Sequence, residues 1–199
     1  DVEKRMKNGA VLIDIRSPEA CAGAYVPGSL SLPLEMIPAY VGYLVDYDHD
    51  IILLPESLDQ IEPAVRFLVR IGYDRVVGHL KGGMTAWEVS GRDYDRIGAM
   101  HAATLSKRLK NDAVTLLDVR KITEYKTAHL KGAQHIFLGD LPNRLDEIDR
   151  TKPVVTFCGS GRRALVAASI LTRNGFDDVA DNFGSMAACR NIGCAIESD

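Results

Sequence analysis

The sequence has few cysteines, one tryptophan, no long apolar segment and little excess of charge of one sign. Its four cysteines, at positions 21, 158, 189 and 194, form neither a Cys-x-x-Cys pair nor the dense pattern of a small disulfide-stabilised secreted domain. Sparse cysteines of this kind are typical of a reducing compartment, in which a single thiol can serve as a nucleophile. We therefore predict a cytoplasmic protein.

Membrane segments, nucleic-acid partners and metal sites are not indicated either. No apolar run approaches the roughly 18 residues needed to cross a bilayer, and the opening DVEKRMKNGA lacks the hydrophobic segment of a signal peptide. A net charge of −3 gives no basic surface for nucleic acid or for an anionic membrane. The five histidines form no short metal-ligand spacing. We expect no membrane, no nucleic acid, no metal and no cofactor.

What the sequence does contain is an internal duplication with an offset of 102 to 104 residues. The matching segments are 11–29 with 115–133, 51–61 with 154–164, 67–77 with 170–180, and 82–91 with 184–193. Copies of this length are too long for solenoid repeats, so each should be a domain with its own core. We predict domains at 1–97 and 98–199. Because the first copy begins partway through the helix that opens the second, we expect the natural protein to continue upstream of Asp1.

The pattern of apolar residues predicts strands and helices in alternation. Short apolar runs at 114–117 and 154–157 are typical of strands buried on both faces of a parallel sheet. The apolar side of the segment 165–171 indicates a helix that ends at Gly175, and Thr104 is a candidate N-cap for the first helix of the second copy. We predict an α/β fold in which each copy forms a small, parallel-stranded open sheet with helices on both faces.

The most informative segment follows the run at 154–157. It reads Cys158, Gly159, Ser160, Gly161, Arg162 and Arg163. Two glycines allow the backbone to curl until successive N–H groups point at one atom, and the N-terminus of the following helix adds a positive dipole. A thiol at the mouth of such a loop should ionise to a thiolate near neutral pH. Free cysteines are often buried apolar side chains, but the glycines and arginines favour a nucleophile at Cys158.

Several motifs together resemble those of rhodanese-like domains. They are the Cys-x-x-Gly-x-Arg loop at 158–163, the Asp-x-Arg at 118–120, the segment HLKGA at 129–133, and the Gly-x-x-x-Trp element from Gly83 to Trp87. The resemblance covers essentially the whole chain in two copies. The tandem arrangement and the phrase GGMTAWEVSGRDYD further resemble the carboxyl-terminal part of proteins that fuse a metallo-β-lactamase-like hydrolase, often a persulfide dioxygenase, to rhodanese domains. That resemblance implies an upstream metallo-β-lactamase-like domain as a partner.

The resemblance implies a sulfurtransferase in the second copy. Cys158 would be the catalytic residue, taking the outer sulfur of thiosulfate or of a low-molecular-weight persulfide and passing it to a thiol acceptor or to cyanide. The loop from Gly159 to Arg163 would bind the substrate, with N–H groups around the transferred sulfur and with the two arginines toward an anionic donor. Between the arginines, the family pattern favours Arg163 as the one that points inward.

Other functions remain open alternatives. Cysteine phosphatases resemble this loop but have one more residue between their Cys and Arg, which leaves room for a phosphate. Sulfurtransferases of the mercaptopyruvate type carry an arginine where this chain has Glu124, so mercaptopyruvate is not expected as the donor. Three alternatives to a sulfurtransferase stay open: a relay in which Cys158 passes persulfide to the upstream domain without turnover, a regulatory or docking module for that domain, and an anion or redox sensor.

The first copy is predicted to be catalytically inactive. Pro55 stands at the position of Cys158, both glycines and both arginines of the loop are missing, and Glu56 and Asp59 would repel an anionic donor. We expect this copy to have a structural or docking role. The Asp-x-Arg motif occurs in both copies, at 14–16 and at 118–120, which favours a structural ion pair over catalysis. Trp87 and its counterpart Cys189 are expected in the cores.

Overall fold

The two copies of the repeat fold as separate units, Asp1–Arg96 and Ile97–Asp199, in a computed structural model that describes residues 1–199. Each unit is built around its own sheet. None of the helices combines the length and the apolar character needed to span a membrane.

The first unit contains a four-stranded parallel sheet in the order β2-β1-β3-β4. Its elements are, in chain order, α1 (Val2–Lys7), β1 (Val11–Asp14), α2 (Pro18–Gly23), β2 (Leu30–Ser31), α3 (Ile37–Leu44), β3 (Ile51–Leu54), α4 (Ile61–Arg70), β4 (Val76–His79) and α5 (Gly83–Val89). The two central strands, β1 and β3, are buried along their whole length, as expected for continuous apolar runs in a parallel sheet. Trp87 of α5 packs with Leu12 and Ile52 of these strands in one core cluster.

The second unit contains a five-stranded parallel sheet in the order β5-β10-β9-β6-β8, and a small antiparallel pair of β7 with β11. Its elements are, in chain order, β5 (Gly98–Ala99), α6 (Ala102–Lys110), β6 (Thr115–Asp118), α7 (Ile122–Thr127), β7 (His129–Leu130), β8 (Gln134–His135), β9 (Val154–Phe157), α8 (Arg162–Arg173), β10 (Val179–Asp181), α9 (Ser185–Asn191) and β11 (Ile196–Glu197). Phe157 at the end of β9 packs with Leu116 and Cys189 in the core. The predicted α/β class with parallel open sheets is confirmed.

The sequence pattern predicted the end of helix α8 correctly but not the start of helix α6. Helix α8 ends at Arg173, and Gly175 follows with a positive φ of 74°, as predicted. Helix α6, however, begins at Ala102 with His101 as its N-cap, so the prediction of Thr104 as N-cap is wrong. The reason lies in the sheet: the N–H of Met100 donates to the carbonyl of Asp181 at 2.9 Å, and this pairing fixes where the chain turns into the helix.

Each unit contains a buried ion pair that ties the end of a central strand to the turn after the next helix. In the first unit Arg16 donates two hydrogen bonds to Asp14, at 2.8 and 2.6 Å, and one to the carbonyl of Ala24. In the second, Arg120 donates to Asp118 at 2.6 Å and to the carbonyl of Ala128 at 2.7 Å. All four charged side chains are buried. The predicted structural role of the Asp-x-Arg motif is confirmed.

Candidate active site at the Cys158 loop

Cys158 lies directly after β9, at the carboxyl end of a central strand, where ligands gather in open α/β sheets. Its Sγ accepts a hydrogen bond from the backbone N–H of Gly161, with a sulfur–nitrogen distance of 3.1 Å. Only 1% of the residue is exposed. The thiol therefore lies at the bottom of its loop rather than at an open mouth, because the loop folds back onto the sulfur.

Gly161 makes this return of the chain possible. Its φ of 106° is unfavourable for any residue with a side chain. Gly161 is also the N-cap of α8, so the N–H that reaches the sulfur stands at the positive end of a helix of 12 residues. The backbone of Gly161 therefore places the N-terminus of α8 directly against Sγ.

The arginines and the serine of the loop occupy different environments. Ser160 and Arg162 are exposed, whereas Gly159 and Arg163 are half-buried. Arg163 donates two hydrogen bonds to the carboxylate of Glu124 in α7, at 2.6 and 2.8 Å. These bonds hold the pKa of the Glu124 carboxyl below its usual value. The guanidinium of Arg163 lies against the loop itself, because a Cβ on Gly159 would be 3.3 Å from its Nη2.

Ser185 is a residue of this site that the sequence reasoning missed. Its Oγ accepts the backbone N–H of Cys158 at 3.1 Å and donates to the carbonyl of Asn182 at 2.7 Å. Ser185 is fully buried and has a positive φ of 41° at the start of α9. The sequence did hold a signal: Ser185 stands where the first copy has Gly83, and a serine at a position built for glycine needs an explanation.

Both copies of the repeat match one known protein family. The model of the rhodanese-like domain family matches residues 1–90 and again residues 101–191. This chain belongs to the rhodanese-like family.

Several relatives share part of the sequence. The "Putative sulfur carrier protein YrkF" of Bacillus subtilis is 38% identical over 69 residues, which are 35% of this chain and 37% of that protein. A protein of Allochromatium vinosum named sulfurtransferase is 34% identical over 39% of this chain and 70% of its own length. The thiosulfate sulfurtransferase GlpE of Tolumonas auensis is 29% identical over 50% of this chain and 91% of its own length. The chain thus spans little more than a third of the first relative and most of the other two.

Solved structures resemble the chain as well. The Alr3790 protein from Anabaena is 27% identical with a TM-score of 0.47, over 50% of this chain and 91% of that one. A thiosulfate sulfurtransferase from Pseudomonas aeruginosa is 20% identical with a TM-score of 0.48, over 98% of this chain and 42% of its own.

The loop of the first rhodanese-like unit is organised differently. Pro55, at the position of Cys158, is buried at the end of β3. The N–H of Glu56 donates to the side chain of Gln60 at 2.8 Å, and the carboxylate of Glu56 accepts the N–H of Ser17 at 3.4 Å. This loop is therefore closed by its own side chains and presents a carboxylate where the second unit has a glycine.

The remaining cysteines are poor candidates for a nucleophile. Cys21 is fully buried, and burial raises the pKa of its thiol. Burial also raises the pKa of Cys189, from 9.0 to about 12. Cys189 and Trp87 both lie in core clusters, as predicted. Cys194 is half-buried and packs against the core of the second unit.

His129 and the acidic cluster of the first unit have roles outside the Cys158 loop. Nδ1 of His129 lies 3.0 Å from the carbonyl oxygen of Tyr125, and the two rings stack, so this histidine supports the turn after α7. In the first unit Asp46, Asp48 and His49 place potential metal-ligand atoms within 4.8 Å of one another. Both aspartates are exposed, and exposed acidic groups of this kind are common without an ion.

Proposed function

We propose that the second unit is a sulfurtransferase whose catalytic residue is Cys158. It moves a sulfane sulfur from thiosulfate or a low-molecular-weight persulfide to a thiol acceptor or to cyanide. The observation that carries this proposal is the 3.1 Å hydrogen bond from the N–H of Gly161 to Sγ, in a loop that opens helix α8. Such a loop stabilises a sulfur anion, first the thiolate and then the persulfide.

The first half-reaction loads the enzyme. The Cys158 thiolate attacks the outer sulfur of a donor R–S–SH and forms a new S–S bond. The S–S bond of the donor breaks, its electron pair goes to the inner sulfur, and this atom takes the proton and leaves as the thiol R–SH. With thiosulfate the same attack releases sulfite. The product in either case is a Cys158 persulfide anion.

The second half-reaction unloads the enzyme. An acceptor thiolate attacks the outer sulfur of the persulfide, and the electron pair of the broken S–S bond returns to Sγ of Cys158. Cyanide as acceptor leaves as thiocyanate. The loop from Gly159 to Arg163 binds the sulfur during both steps, with the N–H of Gly161 directed at Sγ, and its two arginines place positive charge near an anionic donor. The electrons balance without an external oxidant or reductant.

The names of relatives support the proposal at a coarse level. GlpE is a thiosulfate sulfurtransferase, and the Allochromatium protein is a sulfurtransferase. The name of YrkF, a sulfur carrier, corresponds to the alternative in which Cys158 accepts sulfur but passes it only to a partner. The upstream metallo-β-lactamase-like domain and the cytoplasmic location stay predictions, and this mechanism depends on neither.

Intact mass spectrometry of the whole chain tests the covalent step. After incubation with thiosulfate or with cysteine persulfide, we expect the wild type to gain one sulfur atom and Cys158→Ser to gain none. Cys194→Ser is the matched control, since it removes a half-buried cysteine of the same unit, and it should load normally. Loading of the Cys158→Ser variant would overturn the assignment. Thiocyanate formation in the presence of cyanide separates a sulfurtransferase from a relay that loads without turnover.

We further propose that the first unit is catalytically inactive and has a structural or docking role. Its loop has Pro55 in place of the nucleophilic cysteine, and proline lacks a backbone N–H that could donate to a sulfur anion. The buried Cys21 thiol, with its raised pKa, is not a substitute nucleophile. The loading experiment tests this assignment too, because sulfur on the Cys158→Ser variant would have to reside on another cysteine.

A further inference from the structure

Arg163 lies along the cysteine loop instead of extending into solvent. It is the second residue of α8, and only 20% of its side chain is exposed. Its Nη2 atom would be 3.3 Å from a Cβ on Gly159, the residue that directly follows Cys158. The guanidinium therefore packs against the backbone that a sulfur donor must approach.

Glu124 holds the guanidinium in this place. Its two carboxylate oxygens accept from Nη1 and Nη2 of Arg163, at 2.6 and 2.8 Å, in the bidentate geometry that makes such pairs strong. One of these oxygens also accepts the backbone N–H of Lys121 at 3.3 Å, which caps the start of α7 and fixes the carboxylate. Because the Arg163 hydrogen bonds hold the pKa of Glu124 below its usual value, the carboxylate is ionised near neutral pH.

This ion pair changes the charge that a donor meets at the loop. The positive charge of Arg163 is balanced by Glu124, so a dianion such as thiosulfate gains less attraction from the guanidinium and is repelled by the carboxylate. The charge of the leaving group also disfavours thiosulfate. Thiosulfate must release sulfite, which carries two negative charges, whereas an organic persulfide releases a thiol that is neutral at the reacting sulfur.

We infer that Glu124 is a specificity-determining residue that, by holding Arg163, selects organic persulfides over thiosulfate as sulfur donors. Glu124 acts through Arg163 and is in this sense a positioning residue. The inference rests on the proposed sulfurtransferase function and names its donor class.

The test is the Glu124→Gln variant of the whole chain. Glutamine keeps the size of the side chain and an oxygen that accepts the N–H of Lys121, but it removes the charge that holds Arg163. The rate of sulfur loading on Cys158 is measured by mass spectrometry over a range of donor concentrations. We expect the loading efficiency with thiosulfate to rise at least about tenfold, mainly through a lower half-saturating concentration, because a charge-assisted partner becomes available to the anion. Loading by cysteine persulfide should stay within about threefold of the wild type.

Three further variants separate this effect from a structural one. Glu147→Gln is the matched control: Glu147 makes a bidentate pair with Arg144 in the same unit, at 2.6 and 2.6 Å, and its change should alter neither donor. Glu124→Asp keeps the charge and should show no gain with thiosulfate. The double variant Glu124→Gln with Arg163→Met should lose the gain, because the gain depends on the guanidinium.

The outcomes are distinguishable. An unchanged thiosulfate rate in Glu124→Gln, or an equal change with both donors, means that the ion pair does not select the donor, and the inference is wrong. A thiosulfate gain that survives the loss of Arg163 also contradicts it. If neither donor loads sulfur on the wild type, the proposed function itself fails.

Discussion

At the scale of single residues, the candidate nucleophile depends on a serine outside its own loop. Ser185 accepts the N–H of Cys158, and the N–H of Met186 donates to the carbonyl of Cys158 at 3.1 Å. Both backbone polar groups of Cys158 are thus bonded to the start of α9. The position of the sulfur is set by two segments of chain, the loop that contains it and the turn that carries Ser185.

We predict that Ser185→Ala destabilises the second unit and slows sulfur loading. The buried N–H of Cys158 would lose its acceptor, at a cost of about 1–3 kcal/mol, and the loop would be held less firmly. Urea denaturation measures the first effect, and the rate of persulfide formation measures the second. Ser169→Ala is the control, because this buried serine lies in α8, where its Oγ donates to the carbonyl of Val166, whereas the N–H of Cys158 donates to Ser185. Unchanged loading in Ser185→Ala would show that Ser185 stabilises the fold without positioning the thiol.

At the scale of elements, the second unit depends on a buried charge that joins three segments. Arg120 follows β6, pairs with Asp118 at the end of that strand, and donates to the carbonyl of Ala128 after α7. Since α7 carries Glu124, this tie also fixes the element that holds Arg163. The same arrangement recurs in the first unit, around Asp14 and Arg16, as expected for a feature of the fold.

We predict that Arg120→Met lowers the free energy of unfolding by about 3–5 kcal/mol, because it leaves the buried Asp118 carboxylate without its partner. Arg144→Met is the control: the Arg144–Glu147 pair is substantially exposed, so its loss should cost no more than about 1 kcal/mol. Chemical denaturation of both variants gives the comparison. Equal small losses in the two variants would contradict a structural role for the buried pair.

The elements that the sequence predicted are those fixed by local patterns. Strand β9 is a short, mostly apolar run that is buried along its length, and Gly175 follows the end of α8 because glycine adopts a positive φ without strain. The start of α6 was placed wrongly because strand pairing at Met100, and not a capping side chain, decides it. Capping preferences contribute only about 1 kcal/mol, and tertiary hydrogen bonds outweigh them.

In the candidate site too, the sequence predicted the local features but not the contacts between distant residues. The repeat and the glycines identified Cys158 and its loop, because both depend on residues near in sequence. The pairing of Arg163 with Glu124 joins residues 39 positions apart, and it depends on where the sheet places α7 relative to α8. The burial of the thiol was also not predictable, since it follows from the fold of the loop onto Sγ.

At the scale of the whole molecule, duplication has kept the framework and changed one loop. Both units retain the buried Asp-x-Arg pair, the parallel central strands and a buried residue at the position of Trp87 and Cys189. Only the second has a thiol at the start of this loop, with a loop N–H bonded to its sulfur. Features shared by both units therefore identify what the fold requires, and features of the second alone identify what the proposed chemistry requires.

We expect the stability of the protein at alkaline pH to depend on a buried thiol in each unit. Each has a fully buried cysteine in its core, Cys21 in the first and Cys189 in the second. Burial raises the pKa of both thiols above the usual 9.0, that of Cys189 to about 12. In the unfolded chain the thiol loses its proton near pH 9.0, whereas in the folded chain it stays protonated to a higher pH. The contribution of this thiol to the free energy of unfolding is therefore constant below pH 9.0 and falls as the pH rises from 9.0 toward the pKa of the folded state.

We therefore predict that the free energy of unfolding falls above about pH 9 and that Cys189→Ala and Cys21→Ala each remove part of this fall. Urea denaturation at intervals from about pH 8 to about pH 11 measures it. Trp87, the single tryptophan, lies in the first unit, so its fluorescence reports that unit, and circular dichroism reports both. Cys21→Ala should reduce the pH dependence of unfolding detected by fluorescence. Cys189→Ala should leave that signal unchanged and reduce the pH dependence detected by circular dichroism alone, so each variant is the control for the other. The same slope in both variants as in the wild type would mean that other groups, such as Tyr73 with its raised pKa of about 12, dominate the alkaline loss.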